Sequence, residues 1–255
     1  MASRIRMLGV ALIIVGLVSW AAALYAYTRV QDGADSLQGF SEAQNVTLSY
    51  NEDGELIDRG TTEGADAIMA LLTDEWSWPV NEGELDPDDP VVNTGSEYMF
   101  QMATIAQHTL HGTQTVVLAE QAEYDGDGDG TVDATATVYT PLSLPDGVWD
   151  PEVEGYVDAV FEPGVYKVPV NGRYWTAFNR THPLDGPTRS QAWSGTVHGL
   201  FGELGVGAAT FSSLEMGQGV ALVTALMGLG FVIAGGGLVW VGYAKKPEEE
   251  EAKAA

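Results

Sequence analysis

GVALVTALMGLGFVIAGGGLVWVGY, residues 219–243, carries no charged side chain along its whole length. A helix rises about 1.5 Å per residue, so this run exceeds the ~30 Å hydrocarbon thickness of a bilayer and is read as a membrane span. Residues 8–27, LGVALIIVGLVSWAAALYAY, meet the same test. Working outward from these two runs, the expected organisation is a start at 1–7, a first span at 8–27, a central domain at 28–217, a second span at 218–243 and a disordered tail at 244–255.

Flanking charge sets the expected direction. Arg4 and Arg6 precede the first run, and Lys245 and Lys246 follow the second. The positive-inside rule then puts both ends in the cytoplasm and the central domain outside, the topology of a two-pass plasma-membrane protein. Trp20, Tyr25 and Tyr27 fall at the outer end of the first span, with Trp240 and Tyr243 at the inner end of the second. A competing reading of the start is a cleavable leader, because a basic beginning, an apolar core and Ala21-Ala22-Ala23 have that pattern. The apolar run continues through Leu24 to Tyr27, beyond what a leader requires.

Both runs carry small residues every seventh position: Gly9, Gly16 and Ala23 in the first, Ala221, Gly228, Gly235 and Gly242 in the second. A seven-residue period holds one stripe toward a partner helix, and small residues let backbones approach. The expectation is an antiparallel helix pair, with the remaining apolar faces contacting lipid, other membrane subunits or a second copy.

The formal net charge is -25 and is concentrated in the middle. Four of the 36 acidic residues (Glu248 to Glu251) lie in the tail and five of the 11 basic ones (Arg4, Arg6, Lys245, Lys246, Lys253) lie at the ends, so residues 28–217 keep 32 acids against six bases. Such a surface repels phosphate backbones, so nucleic acid is not an expected partner. Solubility or adaptation to high salt accounts for the acidity. Cysteine is absent, so the domain rests on its own core, helped by a metal if one binds.

Local patterns place an α+β extracytoplasmic domain with antiparallel hairpins between the spans. Residues 30–43 continue the first helix as a polar stretch. A hairpin is expected around Asp53-Gly54, then a helix capped by Thr61 or Thr62 and running to about Thr73 with apolar Ala67, Met69, Leu71 and Leu72. Residues 75–90 read as a loop. A second helix is expected over residues 97–111, capped by Ser96, with Tyr98, Met102, Ile105 and Ala106 as its apolar stripe and Gly112 as its stop. Strands are expected at 113–121 and 131–140, and a hairpin over 165–178 around Asn171-Gly172 with Pro169 on an exposed edge. Residues 181–190 read as a proline-containing loop, and residues 200–214 as a glycine-weakened amphipathic helix on the membrane surface or in the core.

The sharpest motif is Asp125-Gly-Asp127-Gly-Asp129-Gly-Thr131-Val-Asp133. Oxygen ligands at alternate positions, a glycine at the turn and the Thr131 carbonyl match the first nine positions of an EF-hand-like calcium loop, and the spacing resembles those of dockerins and thrombospondin-type repeats. The twelfth position is Ala136, so a bidentate acid is missing; Glu120, Glu123 or Asp146 would have to replace it. Calcium bound here would be structural, holding packed carboxylates together. An acidic glycine-rich turn that binds nothing has the same sequence.

His108 and His111 stand at i and i+3 on one helix, a spacing that presents two imidazoles to a transition metal, with His182 or His198 as a third ligand. No HExxH pattern surrounds them, and a histidine at a helix end also complements the helix dipole. The elbow GxSxG, the phosphate loop GxxxxGK[ST] and the fingerprint GxGxxG are absent, and cysteine nucleophiles are excluded. The sequons Asn45-Val-Thr47 and Asn179-Arg-Thr181 agree with an outward-facing segment.

The layout of basic start, span, acidic domain, glycine-rich span and charged tail resembles two-pass envelope membrane proteins of actinobacteria. The resemblance covers architecture alone and implies a non-enzymatic envelope protein. The expected function is therefore a non-catalytic two-pass membrane protein with an interaction domain, an accessory subunit of a larger membrane complex. An extracytoplasmic calcium or ligand sensor is the alternative, and a metal-dependent envelope enzyme using His108 and His111 a further one.

Overall fold

A computed structural model of the chain describes residues 2–142 and 157–244. Two long helices, α1 (Ala2–Gln44) and, at the other end, α5 (Gly195–Ala244), are each long and apolar enough to cross a membrane, and they flank a small sheet-containing region. Between them lie α2 (Thr62–Ala70), α3 (Gly95–Leu110), β1 (Thr113–Leu118), β2 (Ala122–Tyr124), β3 (Thr137–Tyr139), β4 (Ala159–Phe161), β5 (Gly164–Pro169) and α4 (Asp185–Ala192). The chain divides into two compact units. One comprises residues 1–46, 93–95 and 207–255, the other residues 47–92 and 96–206. The tail expected to be disordered lies outside the described residues from residue 245 onward.

In the first unit the seven-residue stripes meet as expected. A Cβ built on Gly9 would stand 2.6 Å from the Gly235 carbonyl oxygen, and one on Gly16 would stand 2.5 Å from that of Gly228. The rising partner number with falling residue number makes the pair antiparallel. Only glycine lets the backbones come this close. Gly9, Gly16, Ala23 and Ala221 are buried, while Leu17, Val18, Leu24, Leu222 and Ile233 on other faces stay exposed. The Trp20 indole N–H donates to the Ala225 carbonyl at 2.7 Å, and its Cδ1 would stand 2.6 Å from a Cβ on Gly228, so the partly exposed ring also contacts the partner helix. At the other end of the pair the Arg6 guanidinium lies 4.9 Å from the Tyr243 ring centre.

The polar extension of the first helix forms, as α1 continues unbroken to Gln44. The separate helix expected at 200–214 does not exist as such. Those residues belong to α5, because an uninterrupted helix satisfies every backbone group internally and outweighs the cost of about 1 kcal/mol per glycine at Gly202, Gly205 and Gly207.

In the second unit Thr61 caps α2 by accepting from the Gly64 N–H at 3.1 Å. A π turn, Leu71–Glu75, extends the helix, and the buried face is Ala65, Ile68, Leu71 and Leu72; Ala67 faces out. Helix α3 begins at Gly95, two residues earlier than expected. Ser96 lies inside it and turns its hydroxyl outward to accept the Asn81 N–H, while its own N–H donates to Glu84. The buried hydrophobic residues of α3 are Tyr98, Met99, Phe100, Ala103, Ala106 and Leu110, so Tyr98 and Ala106 of the expected stripe are buried while Met102 and Ile105 stand at its margin. Gly112, at φ +81°, ends the helix as anticipated, since that backbone region suits glycine.

The strands differ most from expectation. β1 pairs antiparallel with β5, Thr113 opposite Pro169 and Leu118 opposite Gly164. β4 pairs antiparallel with β2 and parallel with β3. The hairpin expected over 165–178 is thus absent: the Asn171-Gly172 turn exists, with Gly172 at φ +63°, but the returning limb has no ladder. Arg173 takes its place by donating to the carbonyls of Pro169 and Ala177 at 3.3 and 3.0 Å. Around Asp53-Gly54 the expected hairpin forms in short form: the Tyr50–Leu56 bridge is flanked by the Asn51 N–H donating to the Glu55 carbonyl and the Ile57 N–H to the Ser49 carbonyl, both at 2.9 Å, with Gly54 at φ +79°. The proline-containing loop contains α4, whose first turn accepts Pro187 because its missing N–H has no helical acceptor there. Val116, Tyr124, Ala159, Phe161, Tyr166, Val168 and Leu184 close the core. The Tyr166 hydroxyl donates within it to the carbonyls of Glu162 and Tyr139 at 2.8 and 3.2 Å.

Candidate functional site

The aspartate-rich loop begins where β2 ends. The β2–β4 register sets Tyr124 opposite Ala159, so one step beyond the ladder Asp125 comes to stand by Asp158. One carboxylate oxygen from each of Asp125, Asp127 and Asp158 lies within 4.8 Å of the others. These oxygens form a hard-donor cluster that could hold a divalent cation such as calcium.

Backbone amides shape the cluster. Asp125 accepts from the Gly128 N–H at 2.6 Å and the Gly130 N–H at 2.7 Å, which requires the chain to double back through Gly128 (φ +76°) and Gly130 (φ +90°). Asp158 accepts from Gly126 at 3.1 Å and from Asp133 at 2.5 Å. Gly126 is packed against the backbone of Val157, leaving no room for a Cβ.

The expected ligands do not all converge. Asp129 turns aside and accepts from the Thr131 N–H and hydroxyl at 2.8 and 2.7 Å, bonds that hold its pKa below the usual carboxylate value. Thr131 thus meets Asp129 through its N–H and hydroxyl, and Asp133 meets Asp158 through its N–H. Glu120 and Glu123 stand outside the cluster, and Asp146 lies outside the described residues. The strand expected over 131–140 is reduced to β3, because the Asp133 N–H is taken by Asp158 and a turn closes from the Ala136 N–H to the Asp133 carbonyl at 2.9 Å. Asp158 was not among the expected residues. Its only sequence signal is an acid immediately before the apolar triplet of β4.

His108 lies in the last turn of α3, whereas His111, expected on the same helix, falls just past its end at Leu110, and the two take separate partners. His108 Nε2 lies 2.9 Å from an Asp58 carboxylate oxygen, and His111 Nε2 lies 3.9 Å from Glu75. His182 is buried in the second unit, where its Nδ1 accepts from the Leu184 and Asp185 N–H groups at 3.1 and 3.3 Å. Tyr124 and Phe161 meet its ring edge-on. Burial pushes its pKa down to about 3, so the ring is neutral and serves as the cap of α4. His198 sits against Trp175, 4.2 Å between ring centres. Among the described residues no group of three potential metal ligands includes a histidine.

Beside His182 lies a buried ion pair, Arg173 with Asp185, both side chains largely withdrawn from solvent. Asp185 also accepts the Asn179 N–H at 2.9 Å, and the Arg173 guanidinium covers the Phe178 ring at 4.2 Å. The side chain of the sequon residue Asn179 is itself occupied, donating to the Tyr124 hydroxyl at 2.7 Å. Tyr50 is pushed up to about 12 by burial and by the nearby charges of Glu97 and Asp86. Comparison with protein-family models, with curated proteins and with solved structures gives no match to this chain.

Proposed function

We propose that the chain is a non-catalytic two-pass membrane protein that anchors an acidic extracytoplasmic interaction domain, acting as an accessory subunit of a larger membrane complex. The observation that carries this reading is the glycine-to-glycine seam of α1 and α5, which joins two apolar helices while leaving large apolar side chains exposed on their other faces. Arg4 and Arg6 at one end and Lys245 and Lys246 at the other support cytoplasmic termini at the plasma membrane. Lipid and neighbouring membrane subunits are the partners this surface fits. Purification in mild detergent with intact-complex mass spectrometry tests it: stoichiometric subunits are expected, and a lone monomer would overturn it.

A second reading, favoured by the arrival of Asp158 beside Asp125 and Asp127, is extracytoplasmic calcium binding with a structural role. Sites of this type in extracellular modules bind at about 10⁻⁴–10⁻³ M. At tenfold excess over Kd, linkage stabilises the domain by about 1.4 kcal/mol. A melting curve that does not move between chelator and millimolar calcium rejects this reading. Loss of the shift in Asp158→Asn supports it.

A further inference from the structure

Six basic residues stand in residues 28–217, and two of them, Arg180 and Arg189, meet at one aromatic ring. The Arg189 guanidinium lies 3.2 Å from the Trp175 ring centre and that of Arg180 lies 5.5 Å from it. Elsewhere Arg29 pairs with Asp32 and Arg173 with Asp185. Among the described residues neither Arg180 nor Arg189 has a carboxylate partner, although acids outnumber bases about fivefold in this part of the chain. Stacking uses the face of a guanidinium and leaves its in-plane N–H fork free for carboxylates. Arg189 spends one donor, Nε, on the Trp175 carbonyl at 3.5 Å. Burial and the neighbouring Arg180 charge hold the Arg189 pKa below its ordinary value, a repulsion that an added anion relieves.

The platform under these cations is fixed. Trp193 and His198 meet Trp175 edge-on, at 86° and 85° between ring planes. Beside it Tyr174 is half exposed. Tryptophan, tyrosine and arginine held in place on an open surface have the composition of a protein-binding hot spot, and prior ordering lowers the entropy lost on docking. Arg189 stacks over one face of the Trp175 ring, a face that is then closed to a stacking sugar. The remaining donors suit carboxylates on a peptide.

We propose that the patch of Trp175, Tyr174, Arg180 and Arg189 is the docking surface for an acidic protein segment of a partner subunit. It rests on the reading of the chain as an interaction subunit and names the surface that would make the contact.

The full-length protein in mild detergent can be titrated into a fluorescent decapeptide of glutamate interspersed with leucine, followed by anisotropy. Salt-sensitive binding is expected, weakened about tenfold or more in Arg180→Gln/Arg189→Gln and unchanged in Arg59→Gln, a control at an exposed arginine. Arg180→Lys/Arg189→Lys, which keeps charge but loses the stacked fork, should fall between them and serves as the test variant if the glutamine pair does not fold. No binding, equal binding by the variant, or preferential binding of a polyuronate would overturn the proposal. Co-purification from native membranes separates the two levels. Wild type isolated alone defeats the interaction-subunit reading and this surface with it, whereas a partner retained by both wild type and the double variant defeats this surface only.

Discussion

In the helix pair backbone meets backbone at Gly9, Gly16, Gly228 and Gly235, where an added Cβ would stand within 3 Å of a carbonyl oxygen of the partner helix. In the sheet-containing unit the core is built from large side chains, with Tyr166, Phe161, Leu184 and His182 all fully buried, and it also holds a buried charged pair, Arg173 with Asp185. The first region depends on what is missing from its side chains, and the second on what its side chains supply. Substitutions should therefore fail in opposite ways: adding atoms harms the helix pair, and removing them harms the domain.

The largest effect is expected from Arg173→Met or Asp185→Ala. Each leaves the opposite charge buried without its partner, and the domain should lose about 3–5 kcal/mol in a denaturant titration followed by tryptophan fluorescence. A loss under about 1 kcal/mol would mean that the pair is solvated and that the domain does not depend on it. Adding one methyl in the other region, Gly16→Ala or Gly235→Ala, forces a Cβ to 2.5 Å from a backbone oxygen and should cost the helix pair about 1–3 kcal/mol in detergent. Gly230→Ala meets nothing within 4 Å, so it is the matched control and should be neutral or slightly favourable.

The third prediction concerns pH. His182 has a folded pKa of about 3 against about 6.5 when unfolded, so between those values the unfolded chain holds the extra proton. Stability is then fully present above pH 6.5 and falls as pH drops toward 3, by about 1.4 kcal/mol per unit. His182→Asn, which keeps a cap acceptor without titrating, should flatten that slope; an unchanged slope would assign it to carboxylates. The smallest effect is expected for Tyr166→Phe, which removes one donor shared by two carbonyls and should cost about 1 kcal/mol in the same titration.

The same contrast explains what could be read from the chain. A seven-residue repeat of small residues is a local pattern, so the seam between α1 and α5 was legible position by position. So were the Thr61 cap and the Gly112 stop, which depend on a few neighbouring residues. Strand partners were not. β1 finds β5 across an intervening stretch whose described residues contain three other strands, and nothing near Thr113 indicates Pro169 as its opposite. The alternating residues 131–140 carry a strand pattern, yet the Asp133 N–H belongs to Asp158, a residue brought there only by the β2–β4 register. For the same reason the loop spacing indicated Asp125 and Asp127 but not their third member. Helix α4 was hidden by Gly186 and Pro187, which read as breakers until His182 is seen capping the turn that holds them.

The most direct test of the account uses the absence of native cysteine. Single substitutions Ser3→Cys, Glu52→Cys and Lys253→Cys, introduced one at a time, can be labelled in intact cells with a membrane-impermeant maleimide. With both termini inside and the acidic domain outside, Glu52→Cys is expected to label at once, while Ser3→Cys and Lys253→Cys label only after permeabilisation. Labelling of either terminal position in intact cells, or loss of the Ser3→Cys segment from the mature chain, would contradict a two-pass helix pair with its acidic domain outside.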